Sequence, residues 1–492
     1  MEIVHMYTGS GFTDWEIGDV EVHVHNGVYH LFHLIIPNHD YIAHAVSKDG
    51  ISWSRVKNAI FVGDPGEWDD DMLWTMDVSD CEDGSFEMFY TGLQLEERGI
   101  NQRVGRAISK DLISWDKTFP EDLPIESQAP YYEDVKNNPR TWLSFRDPFL
   151  FKNKGLEYLL ICARASTGPV YRRGCVAAYK RTENGFEPEK PILFPLAYDD
   201  IECPCLIEME GRFFLIGSIR EDIKVRYWHS DSFDGEYQSF HHDVLMPQGN
   251  YAARIVKDGD HNLVYGFYFL DRKVNSKRVL PPPKELAVNS EGKLYLKSFY
   301  KWTEKVTEIH TQKAFPEVKP MYNNPTAKFE NVQGKWWMTS RSGYELFTFE
   351  RISAAYIWEG TIAMEGIGKC GLLLAEGDDG SGYYISLDFK SGYVQIRAWG
   401  FNPDDTQNNF VFKNLQTNQF VVGNDYSVDF KLIRYGHYIE LSINKIVKLT
   451  LIDYKYSETR IGFYTASSII TLSNSRYSVL ENPIEEYGTQ NK

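Results

Sequence analysis

The chain of 492 residues lacks long apolar runs, has few cysteines and carries a deficit of basic side chains. Without a run of about 18 apolar residues, no membrane-spanning helix is expected. Lys and Arg total 52 against 69 Asp and Glu, for a net charge of −17. This balance argues against binding to nucleic acid, which requires clustered cations. The first residues, "MEIVHMYTGSGFTDW", have neither the basic nor the apolar region of a signal peptide, so we expect a cytoplasmic protein.

The six cysteines show no paired framework, which favours reduced thiols. Cys203 and Cys205 flank Pro204 in "DDIECPCLI", but the chain has no second C-x-C or C-x-x-C pair of the kind that zinc sites use. His23 and His25 share one face of a predicted strand, yet the sequence offers no carboxylate at an obvious ligand position on that face. We therefore predict buried thiols, no metal and no cofactor.

Aromatic residues are abundant, at 15% of the chain, and this content favours β-structure and surfaces that stack on carbohydrate. The length predicts two domains. One repeat is evident, because "AHAVSKDGISW" and "GRAISKDLISW" end at Trp53 and Trp115, 62 residues apart. That spacing is typical of one four-stranded propeller blade with its loops.

A second repeat consists of five predicted hairpins, with turns at Asn26-Gly27, Asp83-Gly84, Lys154-Gly155, Glu210-Gly211 and Asp258-Gly259. Seven to nine positions before each turn glycine stand, in order, Asp19, Asp77, Asp147, Glu202 and Tyr251. Equivalent positions of propeller blades lie in a ring around the axis, so the four acids are expected to converge. Neighbouring carboxylates raise one another's pKa, which suits acid–base chemistry. Taken singly, each acid is also consistent with a solvated strand start.

The C-terminal part of the sequence differs in composition and in its strand pattern. "FPEVKPMYNNPTAKF" is rich in Pro and Asn, and alternating strands such as "YYISLDF" and "YVQIRAW" follow it. The sequence therefore predicts an all-β protein with a five-bladed β-propeller over residues 1–305 and a β-sandwich over residues 306–492. The sandwich is a candidate surface for homo-oligomer formation.

Several segments together resemble glycoside hydrolase family 32, the group of invertases, inulinases and levanases. "FRDPF" resembles its Arg-Asp-Pro segment, "IECP" its Glu-Cys segment, and "DWEIGDVE" an altered form of its Trp-x-Asn-Asp-Pro-Asn segment. "AHAVS", "NYAAR" and "LPPPKELAV" are similar to further segments of the family, in the same order. The resemblance implies a propeller followed by a sandwich and a furanoside-containing oligosaccharide as substrate.

By this resemblance Asp19 is the nucleophile, Glu202 the acid/base and Asp147 the transition-state stabiliser. A retaining mechanism would place the carboxyl groups of Asp19 and Glu202 about 5 to 5.5 Å apart. The repeat and the resemblance together place the expected substrate contacts around the same mouth: Trp15, Glu21, His44, Trp74, Arg146 and Tyr251.

The first motif departs from the family pattern. Gly18 stands where the family has Asn, Leu34 where it has Gln, and Glu21 adds a carboxylate. Because these positions contact the terminal fructose in the family, we expect a simple fructose terminus to be handled poorly. Four alternatives to a retaining hydrolase stay open: a fructosyltransferase, a difructose-anhydride-type enzyme, an inverting arabinofuranosidase-like hydrolase and a non-catalytic carbohydrate-binding protein.

Overall fold

The computed structural model describes residues 6–9, 15–118, 123–270, 277–401 and 410–482. The described residues from Tyr7 to Tyr295 form one compact unit, and those from Leu296 onward form a second, which Met6 joins. The predicted domain limit at residue 305 stays a prediction. Among the described residues the only helices are short 3₁₀ turns at Val170–Arg172, Tyr300–Lys305 and Gln312–Ala314, and none is long and apolar enough to cross a membrane.

The first unit consists of five antiparallel sheets that follow one another along the chain. Sheet 1 contains β1 (Glu16–His25), β2 (Val28–Ile36), β3 (Tyr41–Ser47), β4 (Ser54–Arg55) and β5 (Ile60–Phe61). Sheet 2 contains β6 (Met72–Asp80), β7 (Phe86–Leu93), β8 (Arg103–Ser109) and β9 (Trp115–Thr118). Sheet 3 contains β10 (Phe145–Asn153), β11 (Leu156–Arg164), β12 (Gly174–Thr182) and β13 (Gly185–Leu193).

Sheet 4 contains β14 (Glu202–Met209), β15 (Arg212–Ile219) and β16 (Lys224–Ser230), and sheet 5 contains β17 (Asn250–Asp258), β18 (His261–Leu270), β19 (Lys277–Val279), β20 (Lys284–Val288) and β21 (Leu294–Ser298). The first strands of the sheets, β1, β6, β10, β14 and β17, pack side by side, and β17 returns to β1. This closed ring is the predicted five-bladed propeller, so that prediction is confirmed.

Each of the five inner strands carries a break in its pairing with the next strand, between Ile17/Val20, Trp74/Met76, Arg146/Phe149, Glu202/Cys205 and Tyr251/Arg254. At three of these breaks a residue other than glycine has positive φ: Asp147 (59°), Cys203 (48°) and Ala252 (52°). A β-bulge redirects the side chains beside it. The same irregularity in every blade therefore aims side chains toward one end of the ring axis.

The sequence repeat at Trp53 and Trp115 is one loop used twice. In blade 1, Asp49 Oδ1 accepts hydrogen bonds from the amides of Ile51 (2.8 Å) and Ser52 (2.7 Å) between β3 and β4. In blade 2, the matching acceptor is Asp111 Oδ1, between β8 and β9. Both tryptophans are buried. In both copies of the repeat, a short Asp side chain accepts hydrogen bonds from successive amides of the turn, and the tryptophan that follows packs into the core.

The second unit is the predicted β-sandwich. It contains β22 (Val306–Thr311), β23 (Lys319–Pro320), β24 (Ala327–Val332), β25 (Lys335–Glu350), β26 (Tyr356–Glu376), β27 (Gly382–Asp388), β28 (Tyr393–Phe401), β29 (Phe410–Gln419), β30 (Ser427–Tyr435), β31 (Tyr438–Ile443), β32 (Ile446–Ile452) and β33 (Arg460–Leu480). The long strand β26 pairs with β30 in its first half and with β27 in its second. One strand thereby serves two sheets, whose facing apolar side chains form the core.

Candidate active site

A cavity of about 670 Å³ opens at the end of the propeller to which the bulges point. Every inner strand supplies a side chain to its wall: Asp19, Thr75, Asp147, Glu202 and Tyr251. Three of these five are the carboxylates that the sequence predicts as catalytic. The ring of inner strands, rather than any one segment, therefore assembles the site.

Asp19 lies on β1 beside the bulge of that strand. Thr75, on the neighbouring blade, donates its hydroxyl to Asp19 Oδ2 at 2.5 Å. Burial raises the pKa of the Asp19 carboxyl above its usual value, and the nearby Glu202 adds to this rise. The hydrogen bond from Thr75 acts in the opposite direction, because it stabilises the ionised form.

Asp147 lies under Asp19, almost fully buried, in the left-handed conformation of its bulge. Its Oδ2 accepts the backbone N–H of Cys203 at 2.9 Å, and its own N–H donates to Thr91 Oγ1 at 3.1 Å. Burial raises the pKa of Asp147, the Arg146 guanidinium lowers it and Asp19 raises it. One oxygen each of Asp19 and Asp147 lies within 4.8 Å of the other. The pair forms a compact acidic centre, fixed in place from both neighbouring blades.

Glu202 opens β14 and is held through both of its carboxylate oxygens. Arg146 donates to Oε1 at 2.7 Å, and the Tyr251 hydroxyl donates to Oε2 at 2.5 Å. Arg146 also donates to Ser144 Oγ (2.5 Å) and to Asp200 Oδ2 (3.1 Å). Such a charge-assisted network leaves Glu202 little freedom to rotate away from the cavity.

Tyr251 is the blade-5 member of the ring and is 7% exposed. Burial raises the pKa of its phenol, and the adjacent Glu202 raises it further. The phenol therefore stays protonated and acts as a hydrogen-bond donor to Glu202. Arg146 and Tyr251, both predicted to contact substrate, line the cavity. Trp74, the third such residue on the wall, has an indole N–H with no hydrogen-bond partner among the described residues.

The rim holds further residues that the sequence did not single out: His39, Arg98, Trp142, Arg220 and Arg278. The Arg278 guanidinium lies 5.1 Å from the ring centre of Phe267 and 5.3 Å from that of Phe269. Its Nε and one terminal nitrogen are buried and make no hydrogen bond within the described residues. One terminal nitrogen of Arg278 also lies 4.0 Å from Glu16 Oε1, and Arg278 is one of four arginines on the cavity wall, with Arg98, Arg146 and Arg220. No sequence pattern predicts Arg278 at this site, because it lies on β19, outside the hairpin repeat of blade 5.

The structure corrects the placement of Asp77. Thr75, two residues earlier, occupies the cavity position of blade 2, because the bulge in β6 lies at Thr75. Asp77 is buried, and its Oδ2 accepts the backbone N–H of Leu150 at 3.0 Å. Burial raises its pKa to about 6. Asp77 therefore joins blade 2 to blade 3 and lies off the cavity wall.

Glu21 also lies off the cavity wall formed by the described residues, contrary to the predicted substrate contact. It is 3% exposed, and its Oε2 lies 3.7 Å from Arg254 Nε. Arg254 of β17 donates to the carbonyls of Pro204 (3.0 Å), Pro148 (2.9 Å) and Met76 (3.4 Å). One side chain thus contacts all four other inner strands. Burial raises the pKa of the Glu21 carboxyl well above its usual value, Asp77 raises it further, and Arg254 lowers it.

His44 and Trp15 lie outside the cavity wall as well. The His44 ring is fully buried, with its centre 4.4 Å from that of Phe32 and its Nε2 3.1 Å from His30 Nδ1. Burial lowers the pKa of His44 to about 3, so the ring is neutral. Trp15 packs against Tyr41 at 6.3 Å. The structure places His44, predicted to contact substrate, in the core of blade 1.

Two of the departures in the first motif are physically linked. A Cβ on Gly18 would lie 2.8 Å from Leu34 Cβ and 3.0 Å from Ile36 Cδ1, closer than real side chains approach. Leu34 and Ile36 form the wall next to Asp19. Gly18 and Leu34 therefore face each other without room for a side chain at position 18, and this side of the cavity lacks the amide that the family resemblance implies.

Among the residues that the structure describes, two groups of side chains have the composition of metal ligands. Asp19, Asp147 and Cys203 form the first, where burial raises the pKa of the Cys203 thiol well above its usual value. His23, His25 and Asp80 form the second. The sequence offered no carboxylate there; the structure brings Asp80 Oδ1 to 3.5 Å from His23 Nε2, from the neighbouring blade.

Comparison with known proteins agrees with this architecture. The family model described as "Glycosyl hydrolases family 32 N-terminal domain" matches residues 20–296. The match includes Asp147 and Glu202 and begins one residue after Asp19, consistent with the altered first motif. No curated protein sequence matches the chain.

Solved structures share the fold at low sequence identity. The fructan 1-exohydrolase IIa of Cichorium intybus aligns with a TM-score of 0.69 at 13% identity, covering 98% of this chain and 98% of that one. The sucrose-6-phosphate hydrolase of Lactobacillus gasseri aligns with a TM-score of 0.66 at 17% identity, covering 98% and 93%. The β-fructofuranosidase of Bombyx mori aligns with a TM-score of 0.64 at 15% identity, covering 95% and 92%. The chain belongs to glycosyl hydrolase family 32 and is a glycoside hydrolase.

Proposed function

We propose that the protein is a retaining hydrolase of fructofuranosyl-type oligosaccharides, with Asp19 as nucleophile, Glu202 as acid/base and Asp147 as stabiliser of the transition state. The observation that carries the proposal is the meeting of these three carboxylates, from three separate inner strands, on the wall of one cavity. Glycoside hydrolysis requires a carboxylate on one side of the anomeric carbon and a proton donor on the other.

In the first step Asp19 attacks the anomeric carbon while Glu202 gives its proton to the departing oxygen, leaving a glycosyl–Asp19 ester. In the second step Glu202 takes a proton from water, the water oxygen attacks the same carbon, and Asp19 is released. Thr75 supports the ionised form of Asp19 through its hydrogen bond. Tyr251 and Arg146 orient Glu202. Asp147 is anchored to accept hydrogen bonds from sugar hydroxyls.

The substrate class follows from the relatives and from the cavity. Relatives in the family have been solved in complex with 1-kestose and with sucrose. In this chain the wall beside Asp19 is apolar, formed by Leu34 and Ile36. A site that lacks a partner for a sugar hydroxyl rejects the sugar that relies on it. We therefore propose a furanoside in a setting other than sucrose or a plain fructan terminus.

Methanolysis tests the stereochemistry, because fructose has no anomeric proton to follow. With 1-kestose as the probe in aqueous methanol, retention gives methyl β-fructofuranoside, which ¹³C NMR distinguishes from the α anomer. Formation of the α anomer would contradict the assignment of Asp19 and favour the inverting alternative. Predominant transfer to a second sugar would favour the fructosyltransferase.

A substrate panel tests the specificity. We expect kcat/KM for sucrose, inulin and levan to fall below about 10⁴ M⁻¹s⁻¹, under the ordinary enzyme range. A difructose anhydride or another fructosyl disaccharide should exceed all three. Turnover of an arabinofuranoside alone would shift the proposal to that sugar, and binding across the panel without turnover would favour a non-catalytic carbohydrate-binding protein.

We also propose that the protein works in a reducing compartment such as the cytoplasm. All six cysteines are free thiols, and five of them are buried. Disulfides are rare under such conditions and common outside them.

A further inference from the structure

The sandwich carries a second cavity, of about 940 Å³, and its lining is unusually aromatic. Five tyrosines and one tryptophan are among its 17 lining residues: Tyr322, Tyr344, Tyr384, Tyr393, Trp399 and Tyr464. We refer to this cavity as the aromatic cleft. It lies wholly within the unit that follows Leu296, and it has no part in the proposed chemistry.

The cleft is the outer face of the sheet formed by β27, β28 and their neighbours. In β28, Val394, Ile396 and Ala398 turn into the core and are fully buried. The alternate residues turn into the cleft, so Gln395 and Arg397 lie there between the exposed rings. An ordinary sheet with one solvated face carries charged and small polar side chains on that face. This sheet carries large rings instead.

Several of these rings are both exposed and held in place. Trp399 is 41% exposed, and its ring contacts Phe410 and Phe412, each at 5.1 Å between centres. Tyr384 is fixed through its hydroxyl, which donates to Glu376 Oε1 at 3.1 Å and to the Gly380 carbonyl at 2.9 Å. The rings are therefore preorganised, which lowers the entropy lost when a ligand binds.

Hydrogen-bonding groups are interleaved with the rings. Arg397 pairs across the sheet with Tyr384, and Gln395 pairs with Ser386 on one side and Thr417 on the other. Gln395 donates to Thr417 Oγ1 at 2.8 Å, which fixes its amide. Asp388 and Lys390 add one charge of each sign. The cleft thus alternates flat apolar surfaces with donors and acceptors, and its charged lining consists of three cationic side chains, Lys369, Lys390 and Arg397, and one carboxylate, Asp388.

We propose that the aromatic cleft binds an extended oligosaccharide or polysaccharide chain, separately from the cavity of the propeller. A sugar presents an apolar face of C–H groups that stacks on aromatic rings, and a rim of hydroxyls that needs hydrogen-bond partners. The cleft supplies both in alternation. A second copy of this chain is the competing occupant, because Tyr, Trp and Arg are also enriched at subunit interfaces. The interleaved donors and acceptors, Gln395, Ser386 and Thr417, favour a ligand that carries many hydroxyls.

The test is affinity electrophoresis of the full chain in native gels that contain inulin, levan, linear arabinan or xylan. The Glu202→Gln background keeps the polysaccharide from being shortened during the run, so retention does not depend on the proposed reaction. We expect at least one polysaccharide to retard the protein. Trp399→Ala in that background should weaken retention at least about tenfold, the scale of one lost aromatic contact. Tyr393→Ala, at a more exposed ring, should weaken it as well.

Trp337→Ala is the matched control, because Trp337 lies on β25 of the same unit and is not part of the cleft lining. It should run as the parent does. In the chain with Glu202 intact, Trp399→Ala should turn over 1-kestose within about twofold of the parent, since the cleft binds away from the reacting bond. Equal mobility in all four gels, or retention that both cleft variants preserve, would overturn the proposal. A dimer that Trp399→Ala dissociates, seen by light scattering, would overturn it too and assign the face to a subunit interface.

Discussion

The propeller and the sandwich bury charge in different ways. At the propeller axis, the buried Arg254 meets the buried Glu21 and three backbone carbonyls from other blades. In the sandwich, the fully buried Glu345 is satisfied by the backbone amides of Met321, Tyr322 and Asn324 at 2.7 to 3.0 Å. The propeller uses cation–anion pairs between blades, whereas the sandwich uses local amides around one carboxylate.

The difference follows from the two architectures. Five blades leave a channel where their inner strands meet, and the bulges free carbonyls that need donors. Charged side chains fill that channel, and the carboxylates proposed as catalytic lie at its mouth. A sandwich closes its core with apolar faces and has no central channel, so a buried carboxylate such as Glu345 is satisfied by backbone amides. The proposed catalytic site is thus the open end of a structural charge network.

The largest expected effect is a loss of turnover that a substitution in the propeller causes and a substitution in the sandwich does not. Asp19→Asn should lower kcat by about 10⁴-fold, because removing one member of a catalytic set removes most of its action. Azide should restore part of the turnover of 1-kestose and give a glycosyl azide of inverted configuration. Trp399→Ala in the sandwich is the comparison variant and should stay within about twofold. Substantial activity in Asp19→Asn would show that another group attacks the anomeric carbon.

A second variant tests how much the contacts of Arg254 with Glu21 and with neighbouring blades contribute to the free energy of unfolding. Arg254→Met should destabilise the propeller by about 3 to 5 kcal/mol, since Glu21 then stays buried without its cation. Arg476→Met is the sandwich control; Arg476 pairs with Glu359 at 2.5 Å but is 55% exposed, and it should cost about 1 kcal/mol or less. Chemical unfolding followed by tryptophan fluorescence measures both. Equal losses in the two variants would remove the contrast between the units.

The buried Asp77 predicts a pH dependence of stability. Its pKa is raised from 3.8 to about 6 in the fold, so the protonated form is the one that folding favours. Its contribution is fully present below about pH 3.8 and is lost as the pH rises through about 6. Asp77→Asn imitates the neutral form and keeps an acceptor for Leu150 N–H. At pH 8 it should therefore be more stable than the parent by up to about 3 kcal/mol.

Near pH 4 the parent and Asp77→Asn should unfold at nearly the same denaturant concentration. Asp116→Asn, at an exposed position of β9, provides the control and should show no gain that depends on pH. A constant difference between the parent and Asp77→Asn across the range would show that Asp77 stays ionised in the fold.

The smallest expected effect is a shift of the pH profile of kcat/KM, on its acidic side, when Thr75 is replaced. Its hydroxyl lowers the pKa of Asp19 against the effect of burial. Thr75→Val should raise that pKa, so the acidic limb of kcat/KM should move upward by about one pH unit. Thr75→Ser keeps the donor and should leave the limb in place. An unchanged limb in Thr75→Val would separate Asp19 from the ionisation that limits the rate at low pH.

The strand pattern and the turn signals predicted much of the fold. Asn26 and Gly27 both adopt positive φ in the first hairpin, as the Asn-Gly pair predicts. Hairpin spacing also predicted that Asp19, Asp147 and Glu202 would meet. The same counting failed for Asp77, because a single bulge residue in β6 shifts the register and exchanges the two faces of the strand.

The residues missed by sequence reasoning depend on packing between blades. Arg254 and Thr75 act through contacts with strands that are distant in the chain, at separations that no local pattern reports. Glu21 and His44 belong to segments that resemble substrate-binding motifs of the family, yet both side chains are buried in the protein interior.

The sequence by itself determined the all-β character and the five hairpin repeats, because strand alternation and turn chemistry are local. The family resemblance then singled out Asp19, Asp147 and Glu202 among the acids of the repeat. Tertiary structure decided which carboxylates face the cavity, which cations hold them and which aromatic face of the sandwich stays open. Those outcomes depend on bulge positions and on blade-to-blade packing. Both are set by contacts between strands far apart in the chain, where a displacement of one residue turns a side chain from the cavity to the core.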